Sequence, residues 1–128
     1  MWSDSLYYLN IFHDEELSVH HNTTELIDFL KTIPELKQTG NFTFSNSSQF
    51  SIAIDLILLY TRHLNSWNDN DTDQSKTNLI AIVCTKDNLE NFERLKRIFI
   101  KIAAFVNWKL EDEHTDDGIE NYIIWSPG

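Results

Sequence analysis

Hydrophobic and polar positions along this chain change period several times, and each change marks an element boundary. Leu6-Tyr7-Tyr8-Leu9-Asn10-Ile11-Phe12 is rich in aromatic and branched residues, and its apolar side chains fall on both parities. That pattern predicts a central strand covered on both faces. The segment from His13 to His21 leaves the sheet through an acidic turn, with room for a short strand at Leu17 to Val19. Asn22 followed by Glu25 is a capping-box-like pair. Leu26, Ile27, Phe29, Leu30 and Ile33 then recur at helical spacing, so a first helix is expected from 22 or 23. Pro34 disfavours helical geometry at Ile33 and ends or kinks that helix. A further turn could carry Glu35 to Gln38, and Gly40 is a natural terminator.

Phe42-Thr43-Phe44 alternates like a strand, and Asn46-Ser47-Ser48 has turn chemistry. From Phe50 onward, Phe50, Ile52, Ile54, Leu56, Leu58 and Tyr60 share one parity. A helix capped at Ser48 competes for this stretch, but the branched isoleucines favour a strand paired with the preceding one. Residues 65–78 hold Asn65, Asn68, Asp69, Asn70, Asp71 and Asp73, which is a loop composition. Leu79 to Cys84 follows as a buried strand. A second helix is expected after Thr85 or Asp87, either of which could cap it, with Glu90 placed to reach back to Asp87. Leu89, Phe92, Leu95, Phe99, Ile102 and Val106 form its stripe, and Arg94, Arg97 and Lys101 its opposite side. Glu90–Arg94 and Glu93–Arg97 are spaced as i,i+4 pairs, worth about 0.3–0.5 kcal/mol each. The tail reads as a hairpin: 108–111, an Asp116-Asp117-Gly118 turn, and 119–125 returning.

These elements predict one α+β domain over residues 1–128. It would be a mostly antiparallel sheet of five to six strands with two main helices packed on one face. The ferredoxin-like, split βαβ arrangement is the nearest named architecture. The length of 128 residues suits one hydrophobic core. Cys84 is the single cysteine, so no disulfide can form within the chain, and it reads as a small core hydrophobe. The first residues show no basic, apolar leader pattern, and the longest apolar stretch is about half a membrane span. The expected location is the cytoplasm.

Charge narrows the function. Twenty acids against ten bases give −10, which disfavours binding nucleic acid through a general basic field. Residues 86–109 carry six bases and three acids, so the remainder of the chain stands at −13. Acids alone occupy 4–28 and 111–120, and Asp69, Asp71 and Asp73 add a third cluster. Charge of this kind keeps a protein soluble, and it can also be aimed at a basic partner. Trp108, Tyr122 and Trp125 flank the 111–120 cluster, although core packing is the simpler role for Trp108.

Catalytic signatures are absent. There is no Gly-x-Ser-x-Gly, no Gly-rich phosphate loop and no paired cysteine motif. His13-Asp14-Glu15-Glu16 with His20 and His21 offers metal ligands by type, but at no established ligand spacing. His114 with Asp116 and Asp117 sits at a hairpin tip. The 69–73 acids lack the Gly and Glu that a calcium loop needs. No cofactor and no metal are expected.

In size, acidity and lack of catalytic motif the chain is similar to immunity proteins as a functional class. The leading expectation is a small acidic protein that neutralises a basic protein partner, such as a toxin or a nuclease, by occluding its active site. The expected contact residues are Glu111, Asp112, Glu113, Asp116, Asp117, Glu120, Tyr122 and Trp125, with Asp69, Asp71 and Asp73 as a further contact. Two alternatives stand beside it: a small motif-less or metal-dependent hydrolase using His13, His20 and His21, and a structural adaptor that binds through a sheet edge or through the basic face of the second helix.

Overall fold

The computed structural model describes residues 6–60, 75–86, 89–115 and 118–127. Along the chain run β1 (Leu6–Phe12), β2 (His21–Asn22), α1 (Thr23–Leu30), β3 (Leu36–Gln38), β4 (Thr43–Asn46) and β5 (Ile54–Leu59). They are followed by β6 (Lys76–Thr77), β7 (Leu79–Thr85), α2 (Leu89–Val106), β8 (Lys109–His114) and β9 (Glu120–Trp125). Seven strands form one sheet in the order β3-β4-β5-β7-β1-β8-β9, and β2 pairs with β6 apart from it. Every pairing is antiparallel.

This corrects the expected five-to-six-stranded, ferredoxin-like sheet. The main sheet has seven strands, and a separate two-stranded sheet stands beside it. The difference arises in short segments. Residues 36–38, expected as a helical turn, form β3 and pair with β4. Gly40 sits in the turn between them, where Thr39 N donates to Thr43 O at 2.9 Å. A Cβ on Gly40 would come within 2.6 Å of Thr43 Oγ1, so a larger residue here would have to displace the Thr43 hydroxyl. The segment from Phe50 becomes strand only at Ile54. Before that, Asn46 holds the chain in a loop, donating from Nδ2 to Phe50 O at 2.9 Å and accepting from Ile54 N at 3.3 Å.

Sheet parity explains the core. Tyr7, Leu9 and Ile11 of β1, Ile80, Ile82 and Cys84 of β7, and Ile54, Leu56 and Leu58 of β5 join one buried cluster. That cluster also takes Leu26 and Leu30 of α1 and Leu95, Phe99, Ile102 and Val106 of α2. Opposite parities build a smaller cluster on the other face, from Phe12, Leu59, Leu79 and Ala81, covered by Leu17. The strands β1 and β7 therefore read as continuous apolar runs because both faces are covered. Leu17 adopts a left-handed φ of 55° while its side chain is buried, in place of the short strand expected there.

The start of α1 and the end of α2 follow local chemistry. Asn22 caps α1, accepting from Glu25 N at 3.0 Å. Helix α1 stops at Leu30, three residues before the Pro34 boundary, and 3₁₀-type bonds such as Ile33 N to Leu30 O close the turn. The proposed α2 cap at Asp87 lies outside the described residues, and Thr85 belongs to β7. Helix α2 ends on Asn107 at φ 63°, with Trp108 N returning to Ala103 O at 3.0 Å, a left-handed C-terminal closure. Trp108 is buried in the core.

Phe99 is fully buried among both helices and the sheet, whereas Asn22 contributes one capping bond. Phe99→Ala is expected to cost about 3–5 kcal/mol, and Asn22→Ala about 1 kcal/mol. Urea denaturation followed by circular dichroism checks both, and equal losses would contradict this division between packing and capping.

Candidate partner-binding surface

The 109–125 hairpin carries most of the expected contact residues, and its register on β1 sorts them. Asn10 faces Glu111 and Leu9 faces Asp112 across the β1–β8 pair. Successive strand residues point to opposite faces. Asp112 therefore lies on the helix-covered face with Leu9, and Glu111 on the other face with Asn10. Both are buried, at 3% and 4% exposure. Neither is presented to a partner.

Burial pushes the Glu111 carboxyl up to about 7, against the nearby Lys109 cation, and the carboxylates of Glu113, Glu15 and Asp112 add to the rise. Glu113 accepts from Asn10 Nδ2 at 2.8 Å. Asn10 Oδ1 is buried and has no hydrogen-bond partner among the described residues. Glu111 is the residue directly across the β1–β8 pair from Asn10. Lys109 lies 4.8 Å from the Phe12 ring and donates to Glu15 Oε1 at 2.8 Å. That bond holds the Glu15 carboxyl below its ordinary value. Asp14 is pulled down to about 2, first by the Ser18 hydroxyl and then by the Ser18 amide. Asp112 adds to the burial that pushes the Cys84 thiol up to about 12, which makes Cys84 an inert core residue.

The outer strand presents a different set. Ile119, Glu120, Tyr122 and Ile123 are exposed, the three apolar side chains by 50%, 48% and 38% for Ile119, Tyr122 and Ile123. Trp125 is half-buried and packs with Ile124 against the helix-side core. Among the described residues β9 pairs only with β8, so it is one edge of the sheet. The other edge, β3, has only three residues, with exposed Lys37 in the middle and Pro34 just before it. Short charged edges resist pairing with other chains. The β9 edge is longer and apolar, though Asn121 at φ 54° breaks its extended geometry. At the hairpin end, Gly118 at φ 83° and the Thr115 N to Ile119 O bond of 2.8 Å reverse the chain. Asp116, Asp117, Asp69, Asp71 and Asp73 lie outside the described residues.

The cluster expected from His13, His20 and His21 does not converge. His13 meets Asp14 at 3.1 Å, and His20 lies edge-on to Tyr60. His21 stands against Phe105, with its Nε2 3.6 Å from Glu25, too long for a hydrogen bond. Among the described residues no group of three or more His, Cys, Asp or Glu side chains could hold a metal ion. A shallow depression of about 280 Å³ on the sheet lies between Thr39, Thr43, Asp55, Ile57, Ala81 and Val83, with Asp55 its one carboxylate. No helix among the described residues is long and apolar enough to cross a membrane.

Comparison with protein-family models, curated proteins and solved structures finds no match. Function therefore has to be argued from the surface itself. Sequence reasoning missed Ile119 and Ile123 as presented residues and Asn10 as the partner of Glu113. An isoleucine beside the acidic turn was the available signal for the first. Nothing local marks the second, because residues 10 and 113 meet only through strand pairing.

The raised Glu111 carboxyl makes stability pH-dependent. The folded state binds its proton more tightly than the unfolded chain does, so stability is greatest below about pH 4.5 for this group. It falls as pH rises to about 7, by on the order of 3 kcal/mol. Glu111→Gln should remove that slope and leave the variant more stable than the parent at pH 8. Denaturation midpoints at pH 5 and pH 8 test it, and an unchanged slope in the variant would assign the pH dependence elsewhere.

Proposed function

We propose that this chain is a small acidic binding protein that holds a basic protein partner against the outer surface of its 109–125 hairpin. The observation that carries this reading is the exposure of Tyr122 and Ile123 on the β9 edge strand, with Ile119 exposed just before it and Glu120 between, in a chain of net charge −10. Exposed apolar residues within a polar rim mark protein interaction surfaces. Tyrosine is enriched among the residues that dominate binding energy.

The proposed mechanism has two parts. The field of the acidic chain steers a cationic partner into encounter. Tyr122 and Ile123, turned to opposite faces of the β9 edge, then grip the partner from both sides of that edge, with Ile119 and Glu120 at its hairpin end. Glu111 and Asp112, buried, support the hairpin and take no part in the contact. If the partner is a toxin with a cationic catalytic cleft, such as a nuclease, seating the hairpin over that cleft blocks substrate, and the chain acts as an immunity-type inhibitor. The lone buried thiol suits the cytoplasm, the compartment proposed here.

The β9 edge also supports a second reading, an adaptor that adds a partner strand to this sheet. Because Asn121 departs from extended geometry, strand addition would be confined to 122–125.

A test begins with the immobilised chain and lysate of the source cells at low salt, which identifies a basic protein released by a salt gradient. With that protein purified, Tyr122→Ala is expected to weaken binding by about 2 kcal/mol or more, chiefly through faster dissociation. Glu120→Lys should slow association and reduce its salt dependence. Full affinity in both variants would remove the hairpin from the interface.

A further inference from the structure

A second surface, at the far side of the molecule, has the opposite character. Helix α2 and the segment after α1 enclose a cleft of about 240 Å³ lined by Ile33, Glu35, Arg94, Arg97, Ile98 and Lys101. The expected Glu93–Arg97 pair does not form, because Glu93 takes Lys96 at 2.9 Å. Arg94 lies over the Phe50 ring at 4.8 Å and makes no ion pair with Glu90 among the described residues. Arg97 and Lys101 are exposed, and they have no carboxylate partner among the described residues. A chain with twice as many acids as bases thus leaves cations unpaired in one concave place.

The cleft is also built. Its floor holds the buried Ile33 and Ile98. Its second wall is tied down by Ser47, whose amide donates to Glu35 O at 2.8 Å and whose hydroxyl donates to Pro34 O at 2.5 Å. Glu35 directly precedes β3, the edge strand opposite β9. Six strand spacings of about 4.8 Å separate those edges, on the order of 29 Å, so the cleft and the hairpin surface can be occupied together.

We propose that this cleft binds an extended acidic segment of a partner protein, with carboxylates at alternate positions. Arg94 and Lys101 are seven residues apart, about 10.5 Å along the helix. Alternate residues of an extended chain lie on one side at about 6.8 Å, so two or three carboxylates reach the three cations in turn. The aliphatic stems of such side chains rest on Ile33 and Ile98. Glu35 opposes a phosphoryl group, which concentrates its charge on one centre, more than it opposes carboxylates spread along a chain. A nucleic acid is disfavoured by the chain's net charge of −10, whereas a short segment needs only the cations of the cleft.

The test is fluorescence anisotropy at low ionic strength with a fluorescein-labelled heptapeptide, Gly-Glu-Ala-Glu-Ala-Glu-Gly, and its Gln counterpart as control. Saturable binding of the Glu peptide alone is expected, weakened about tenfold or more by Lys101→Glu and strengthened by Glu35→Gln. Lys101 is exposed and Glu35 half-buried, and unchanged thermal midpoints establish that the variants fold. Three results would overturn the proposal: equal binding of the Gln peptide, equal binding by Lys101→Glu, or no binding at millimolar peptide. Displacement by inorganic phosphate well below the peptide's own dissociation constant would reassign the cleft to a phosphoryl ligand. Self-association of the unliganded chain that Lys101→Glu abolishes in sedimentation velocity would reassign it to a second copy.

Discussion

The register of β8 on β1 is the constraint on which the rest of this molecule depends. With Asn10 set against Glu111, the acidic strand Lys109-Leu110-Glu111-Asp112-Glu113 turns Leu110 into the helix-side core. It also carries two carboxylates out of water. A shift of one residue would exchange the faces of every side chain on the strand, sending Leu110 outward and Glu111 into the helix-side core. The apolar gain at Leu110 therefore fixes the register, and the buried carboxyl is its consequence. Lys109, held over Phe12 and bonded to Glu15, places a cation beside Glu111.

The same register separates the acids that shape the hairpin from those that a partner can meet. Acidic composition alone suggests a uniform negative surface. The structure divides it: Glu111 and Asp112 are interior, Glu113 is engaged by Asn10, and Glu120 stands outside with three apolar neighbours. The charge that steers a partner and the area that holds it thus come from different residues. At the other edge of the sheet, Pro34, Lys37 and the shortness of β3 discourage pairing. The two edges of one sheet are consequently unlike, one blunted and one presented.

How much of this was legible depended on whether the signal was local. The strand at 6–12, the strand at 79–84 and the Asn22 cap were legible because period and capping chemistry reside within a few residues. The β3 strand was not, since Leu36-Lys37-Gln38 has too few residues to show a period and gains its partner only from β4. The sheet order was hidden for the same reason: pairing of β1 with both β7 and β8 links residues 69 to 103 positions apart. Buried Glu111 and Asp112 were expected on the surface, because a carboxylate in sequence looks the same whether it faces solvent or a strand neighbour. The i,i+4 pairs on α2 failed through competition, with Lys96 one residue nearer to Glu93 than Arg97 and Arg94 resting on Phe50.

The most direct test of this account is a carbon-detected nuclear magnetic resonance titration of the Glu111 side-chain carboxyl in the folded protein. The β1–β8 register predicts a midpoint of about 7. A midpoint near 4.5, the ordinary glutamate value, would show that Glu111 is solvated, and would contradict both the register and the division of the hairpin into buried and presented acids.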